Sequence, residues 1–125
     1  MRLLIDSNAF IWMVSQPGEL SVASREILAD PANDRFLSIV SMWELAIKLS
    51  LGKLALPGTL QAAVDGMGAE MLPITVAHIG CIQTLPFHHR DPFDRMMIAQ
   101  AIEEGLTVVT RDRHFQAYGV PVLPA

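Results

Sequence analysis

Four carboxylates stand out by their positions: Asp6, Glu44, Asp94 and Asp112. Asp6 directly follows the apolar run Leu3–Ile5, and Asp112 comes just after a second apolar run ending at Val109. Glu44 falls in the first turn of an expected helix over Ser41–Leu51, and Asp94 in the first turn of one over Pro92–Glu104. On the latter, Asp94, Ile98 and Ala101 share one face at i, i+4 and i+7. Asp94 therefore continues a buried stripe instead of pointing into bulk water. Carboxylates gathered at one place repel, so they must take up protons or share a cation. Oxygen-only ligands suit Mg²⁺ or Mn²⁺. A cation held this way activates water and stabilises charge on a phosphate undergoing hydrolysis.

Each acid alone has a plainer explanation. Ser41-Met42-Trp43-Glu44 has the form of a capping box. Asp91-Pro92-Phe93-Asp94 reads as an N-cap, a proline at the first helical position and an acid near the positive helix end. Asp6 can cap a helix beginning near Asn8, and Asp112 a turn around Arg113–Ala117. What favours a site is the four taken together, since independent caps need not meet at one sheet edge.

The elements that would bring them there are legible in outline. Strands are expected at Arg2–Ile5, Arg35–Ile39, Glu70–Ile74 and Leu106–Val109, with a short fifth at Val120–Leu123. Between them, helices are expected at Asn8–Ser15, Ser21–Ala29, Ser41–Leu51, Thr59–Met67, Thr75–Thr84 and Pro92–Glu104. Alternating strands and helices imply an α/β fold with a parallel sheet covered on both faces. Such sheets bind ligands outside the carboxyl ends of their strands. Three of the four acids fall at that edge, and Asp94 joins them if its helix starts there.

Length and composition set limits. The 125 residues suit one domain, and a 51% hydrophobic fraction suffices for a core. No stretch approaches the roughly 18 apolar residues of a membrane span. The acid at position 6 breaks any apolar leader, so no secretion signal is expected. Cys81 stands alone, excluding an internal disulfide and suiting a cytosolic setting. The formal charge of −4 argues against a broad basic nucleic-acid surface, though not against brief contact with nucleic acid. Cations are unevenly placed. Arg90, Arg95, Arg111 and Arg113, with His88, His89 and His114, lie close in sequence to Asp94 and Asp112. The arginines read equally well as phosphate contacts or as solvated salt-bridge partners. The histidines read as phosphate-side or surface residues, and Trp12 and Trp43 as core or interface packing.

The stretches LLIDSNAFIW (Leu3–Trp12), SIVSMWELAIKLSLGKLAL (Ser38–Leu56), HHRDPFDRMMIAQA (His88–Ala101) and TVVTRDRHFQAYGV (Thr107–Val120) carry a resemblance. In order and spacing the chain resembles PIN-domain ribonucleases, specifically VapC-type toxins of bacterial toxin–antitoxin pairs, over nearly its whole length. The resemblance implies a three-layer α/β/α sandwich and hydrolysis of RNA through an acidic quartet holding Mg²⁺ or Mn²⁺. It assigns the quartet to Asp6, Glu44, Asp94 and Asp112, with Asp6 and Asp94 as main ligands. Glu44 and Asp112 then bind directly, bind through water, or orient the attacking water. Ser7 assists beside Asp6, while Asp91 caps its helix. It further implies a homodimer, a cognate antitoxin that covers the active site, and a larger toxin–antitoxin assembly. Two rivals are a receiver-like phosphoacceptor domain, disfavoured because no lysine follows Lys53, and a non-catalytic module of the same fold.

Overall fold

A computed structural model describes residues 1–125. Its centre is one sheet of five strands: β1 (Arg2–Ile5), β2 (Asp34–Ser38), β3 (Glu70–Leu72), β4 (Thr107–Thr110) and β5 (Val122–Pro124). The order is β3-β2-β1-β4-β5 and every pairing is parallel. The helices are α1 (Ser7–Ser15), α2 (Val22–Ala29), α3 (Ile39–Ser50), α4 (Leu60–Met67), α5 (Val76–Thr84) and α6 (Pro92–Glu104), with short 3₁₀ turns at Pro17–Glu19 and Arg113–Tyr118. The expected α/β/α sandwich is present.

The alternation of side chains along β1 explains the layers. Leu3 and Ile5 point to one face, where they meet Ala9 and Phe10 of α1, Leu28 of α2 and Leu45 of α3. Leu4 points to the other, against Met97, Ile98 and Ala101 of α6 and Phe115. A central parallel strand is buried on both sides, so Leu3, Leu4 and Ile5 are all inaccessible to solvent. No helix is long and apolar enough to cross a membrane.

From β1 the chain builds outward through β2 and β3, then crosses back to place β4 and β5 on β1's other side. The winding thus reverses between β1 and β4. A crevice opens at such a switch point, outside the carboxyl ends of the two strands.

Several boundaries differ from the sequence reading by one or two residues. The informative case is α3. Its N-cap is Ser38, whose side chain accepts from the Val40 N–H, so the helix starts at Ile39. Ser41 is no cap. It is fully buried within the helix, and its hydroxyl lies 3.1 Å from Met97 Sδ. Glu44 consequently sits in the second turn, not the first, and has no capping role. The tertiary contacts of Ser38 decided this: its Oγ also donates to the buried Gln100 Oε1 at 2.6 Å.

Candidate active site

Asp6 and Asp112 leave the carboxyl ends of the two strands that flank the switch point. The Asp6 N–H extends the ladder by donating to Val109 O at 3.1 Å. Its Oδ1 accepts from the Ala9 N–H at 2.7 Å, capping α1. Asp112 caps the following 3₁₀ turn through the His114 N–H at 2.9 Å. The capping reading is therefore correct for both, and Asp112 still lies close enough for its charge to act on Asp6. At α6 the cap is Asp91, which accepts from the N–H groups of Phe93 and Asp94. That relieves Asp94, three positions into the helix, of any capping duty. Ile98 and Ala101 behind it are buried, as the stripe on α6 required.

The four acids meet electrostatically. Burial pushes the Asp6 carboxyl above its ordinary range, and the charges of Glu44 and Asp112 push it further, against hydrogen bonds from Thr110 and Ala9. Burial likewise drives Asp94 up to about 7; the charges of Asp91, Glu44 and Asp112 add to this, while His89 opposes it. Asp112 behaves otherwise. Partial burial would raise it, but hydrogen bonds from the His114 backbone, the His89 ring and the His114 ring hold it below the usual range. Two protonation-prone carboxyls beside two other acids form a site short of positive charge. Its all-oxygen donor set fits a hard divalent cation.

Glu44 is steered into this group by α1 and by its own helix. The Ser7 hydroxyl donates to its Oε1 at 2.7 Å, and Lys48 Nζ lies 3.3 Å from its Oε2, one turn on. Ser7 thus acts through Glu44. Lys48 brings the crevice a cation that the sequence reading had not connected to it.

The cation-rich stretch sorts itself sharply. His89 is no surface residue: its Nε2 lies 3.0 Å from Asp94 Oδ2 and 2.8 Å from Asp112 Oδ2. His114 Nδ1 lies 2.8 Å from Asp112 Oδ1. The donor atoms of His89, Asp112 and His114 fall within 4.8 Å of one another. His88 instead packs edge-on against Tyr118 and is exposed. Arg95 is only 6% exposed and donates to the carbonyls of Pro86 and Leu85, so it serves neither as a phosphate contact nor as a surface ion pair. Arg111 lies over the Trp12 ring at 4.1 Å and pairs with Glu19. Arg90 and Arg113 remain exposed. Trp43 is largely exposed against Phe93, which suits an interface more than a core.

Comparison with known proteins gives consistent relatives. Residues 3–121 match the family described as PIN domain. The chain is 29% identical to Ribonuclease VapC22 of Mycobacterium tuberculosis over 127 residues, which span 95% of this chain and 93% of that protein. Its fold is similar to VapBC2 from Rickettsia felis bound to a promoter DNA fragment, with TM-score 0.75 at 16% identity, covering 98% of each chain. It is also similar to DNA-bound VapBC from Salmonella typhimurium, with TM-score 0.72 at 19% identity, covering 98% of this chain and 97% of that one.

Proposed function

Because this chain belongs to the PIN-domain family, we propose that it is a divalent-metal-dependent ribonuclease whose working groups are Asp6, Glu44, Asp94 and Asp112. The observation that carries the reading is that Asp6 and Asp94 are both driven toward protonation, chiefly by burial, with the charges of Glu44 and Asp112 close enough to add to each. A bound Mg²⁺ or Mn²⁺ would supply the missing positive charge, lower the pKa of a coordinated water and offset charge on the scissile phosphate. Asp6 and Asp94 are the principal holders. Both belong to ends of regular elements whose cores are rigidly packed, which fixes their carboxyls before substrate arrives. Glu44, oriented by Ser7 and Lys48, would bind the ion directly or through water, or orient the attacking water. Asp112 would do the same beside Asp94, held by His89 and His114. The exposed Arg90 and Arg113 lie on the segments bearing Asp94 and Asp112 and are suited to backbone phosphates of a single strand.

The reaction is hydrolysis by water without a covalent enzyme intermediate. Purified protein should cleave RNA with Mg²⁺ or Mn²⁺ and stop when the ion is chelated. Asp6→Asn and Asp94→Asn should lose cleavage by at least a hundredfold while keeping the fold. Cleavage by Asp94→Asn at the parent's rate, or cleavage indifferent to chelator, overturns the assignment. RNA binding without cleavage in the parent supports instead a non-catalytic module.

The relatives extend the proposal to biology. A further similar structure, from Klebsiella pneumoniae (TM-score 0.66 at 17% identity, covering 98% of this chain and 96% of that one), is a toxin–antitoxin complex by name. We assign this chain the toxin role in such a pair, acting in the cytosol, homodimeric, and silenced by a cognate antitoxin within a larger assembly. A groove lined by Val40, Trp43, Ile74, Ile82, Phe93 and Met96, in which Trp43 and Ile74 are exposed, supports a protein partner, because exposed apolar side chains favour being covered. Induced expression with Asp94→Asn as control tests toxicity. Growth arrest and discrete new RNA ends should both need Asp94.

A further inference from the structure

We propose that His89 is a positioning residue of the acidic site, its ring set between the Asp94 and Asp112 carboxylates with its Nε2–H donated to Asp112. This rests on the metal-holding reading above.

The ring's protonation pattern follows from its neighbours. A backbone N–H can only donate, and the Asp91 N–H points at His89 Nδ1 from 3.1 Å. Nδ1 must therefore accept, so the ring hydrogen is on Nε2. From there it is donated to Asp112 Oδ2 at 2.8 Å, while Asp94 Oδ2 lies 3.0 Å from the same nitrogen, in electrostatic contact with the ring. These carboxylates come from unrelated elements, the first turn of α6 and the turn after β4. Like charge drives them apart, and the positive end of an N–H dipole set between them opposes that.

The ring is itself held in place. The His89 N–H donates to Tyr118 Oη at 2.8 Å. Arg95 Nη1 donates to Pro86 O at 2.8 Å and lies 3.4 Å from the same Tyr118 oxygen. Its Nη2 donates to Leu85 O at 3.3 Å, and its guanidinium lies over the Phe87 ring at 4.2 Å. A buried cation thus clamps the segment from Leu85 to His89, and that segment delivers the ring. The chain Arg95–Tyr118–His89 runs from the interior of α6 to the mouth of the crevice. Groups that orient metal-holding carboxylates in this manner commonly change metal affinity by about 10- to 100-fold when removed.

The two amide side chains separate the ring's two roles. His89→Gln retains a donor near the reach of Nε2 and loses the acceptor for the Asp91 N–H. His89→Asn retains an acceptor near Nδ1 and loses the donor to Asp112. Mn²⁺ affinity of the purified full chain, measured by calorimetry, should fall about tenfold or more in His89→Asn and His89→Ala, and stay near the parent's in His89→Gln. In the metal-free parent, nitrogen chemical shifts should report a protonated Nε2 and a bare Nδ1. Melting curves in chelator identify any variant that fails to fold, and the Asn–Gln comparison does not depend on His89→Ala. Equal Mn²⁺ affinity in His89→Asn and parent, equal losses in Asn and Gln, or a bare Nε2 overturns the positioning role alone. A parent that takes up no Mn²⁺, or Asp94→Asn that binds it like the parent, overturns the quartet reading and this inference with it.

Discussion

Replacing Asp94 with asparagine should stabilise the metal-free protein at alkaline pH while removing its function. Burial drives the Asp94 carboxyl from its ordinary 3.8 to about 7. The folded state therefore binds this proton more tightly than the unfolded chain does. The associated stability is fully present below 3.8 and is lost as pH rises through 7. The span is about three pH units at 1.36 kcal/mol each, a ceiling of about 4 kcal/mol. Asp94's side chain keeps 22% of its exposure at the crevice, so solvent screening cuts this to about 2 kcal/mol. Asparagine does not titrate and keeps an acceptor for His89. In chelator at pH 8, Asp94→Asn should melt about 5 to 10 °C above the parent, a gap that narrows as pH falls and closes only below about pH 4. Asp6 titrates in both proteins and drops out of the difference. With saturating Mn²⁺ at pH 8 the order should reverse, because only the parent gains from the ion. Melting curves across pH, with chelator and with Mn²⁺, read all of this. An Asp94→Asn protein less stable than the parent at pH 8 in chelator, or offset from it equally at every pH, refutes the reasoning.

Three further outcomes follow from packing. Ser24 Oγ is buried without a hydrogen-bond partner, so Ser24→Ala should raise stability by about 1 kcal/mol, read as a shift in denaturant midpoint. Gln100 is fully buried between Ser38 Oγ and Pro73 O, so Gln100→Ala should cost about 3 kcal/mol and leave the Ser38 hydroxyl stranded; a loss under 1 kcal/mol in the same denaturation assay contradicts that role. Gly105 ends α6 at φ +65° with open space around a would-be Cβ, so Gly105→Ala should cost about 1 kcal/mol through backbone strain alone, again by denaturation, without reducing cleavage.

Much of the architecture was legible in the residues because local chemistry marked it. Pro92 and Gly105 bracket α6, Ser21 and Thr59 cap their helices, and apolar runs between helical patterns announce a parallel sheet. The identities of the four acids, and their positions just past strands or just inside a helix, were likewise readable, since one-dimensional spacing carries them. Strand order, and with it the crevice between β1 and β4, belongs to long-range pairing. Ser41 had the right letters for a capping box, yet Ser38 took the cap because Gln100, distant in the chain, holds it there. Arg95, a charged residue in a basic stretch, reads as a surface group until the carbonyls of Leu85 and Pro86 are seen to enclose it. The same holds for His89. Its type announced a titratable group beside acids, but only the fold brings Asp94 and Asp112 to one nitrogen, because the repulsion that must be bridged arises from segments that meet nowhere in the sequence.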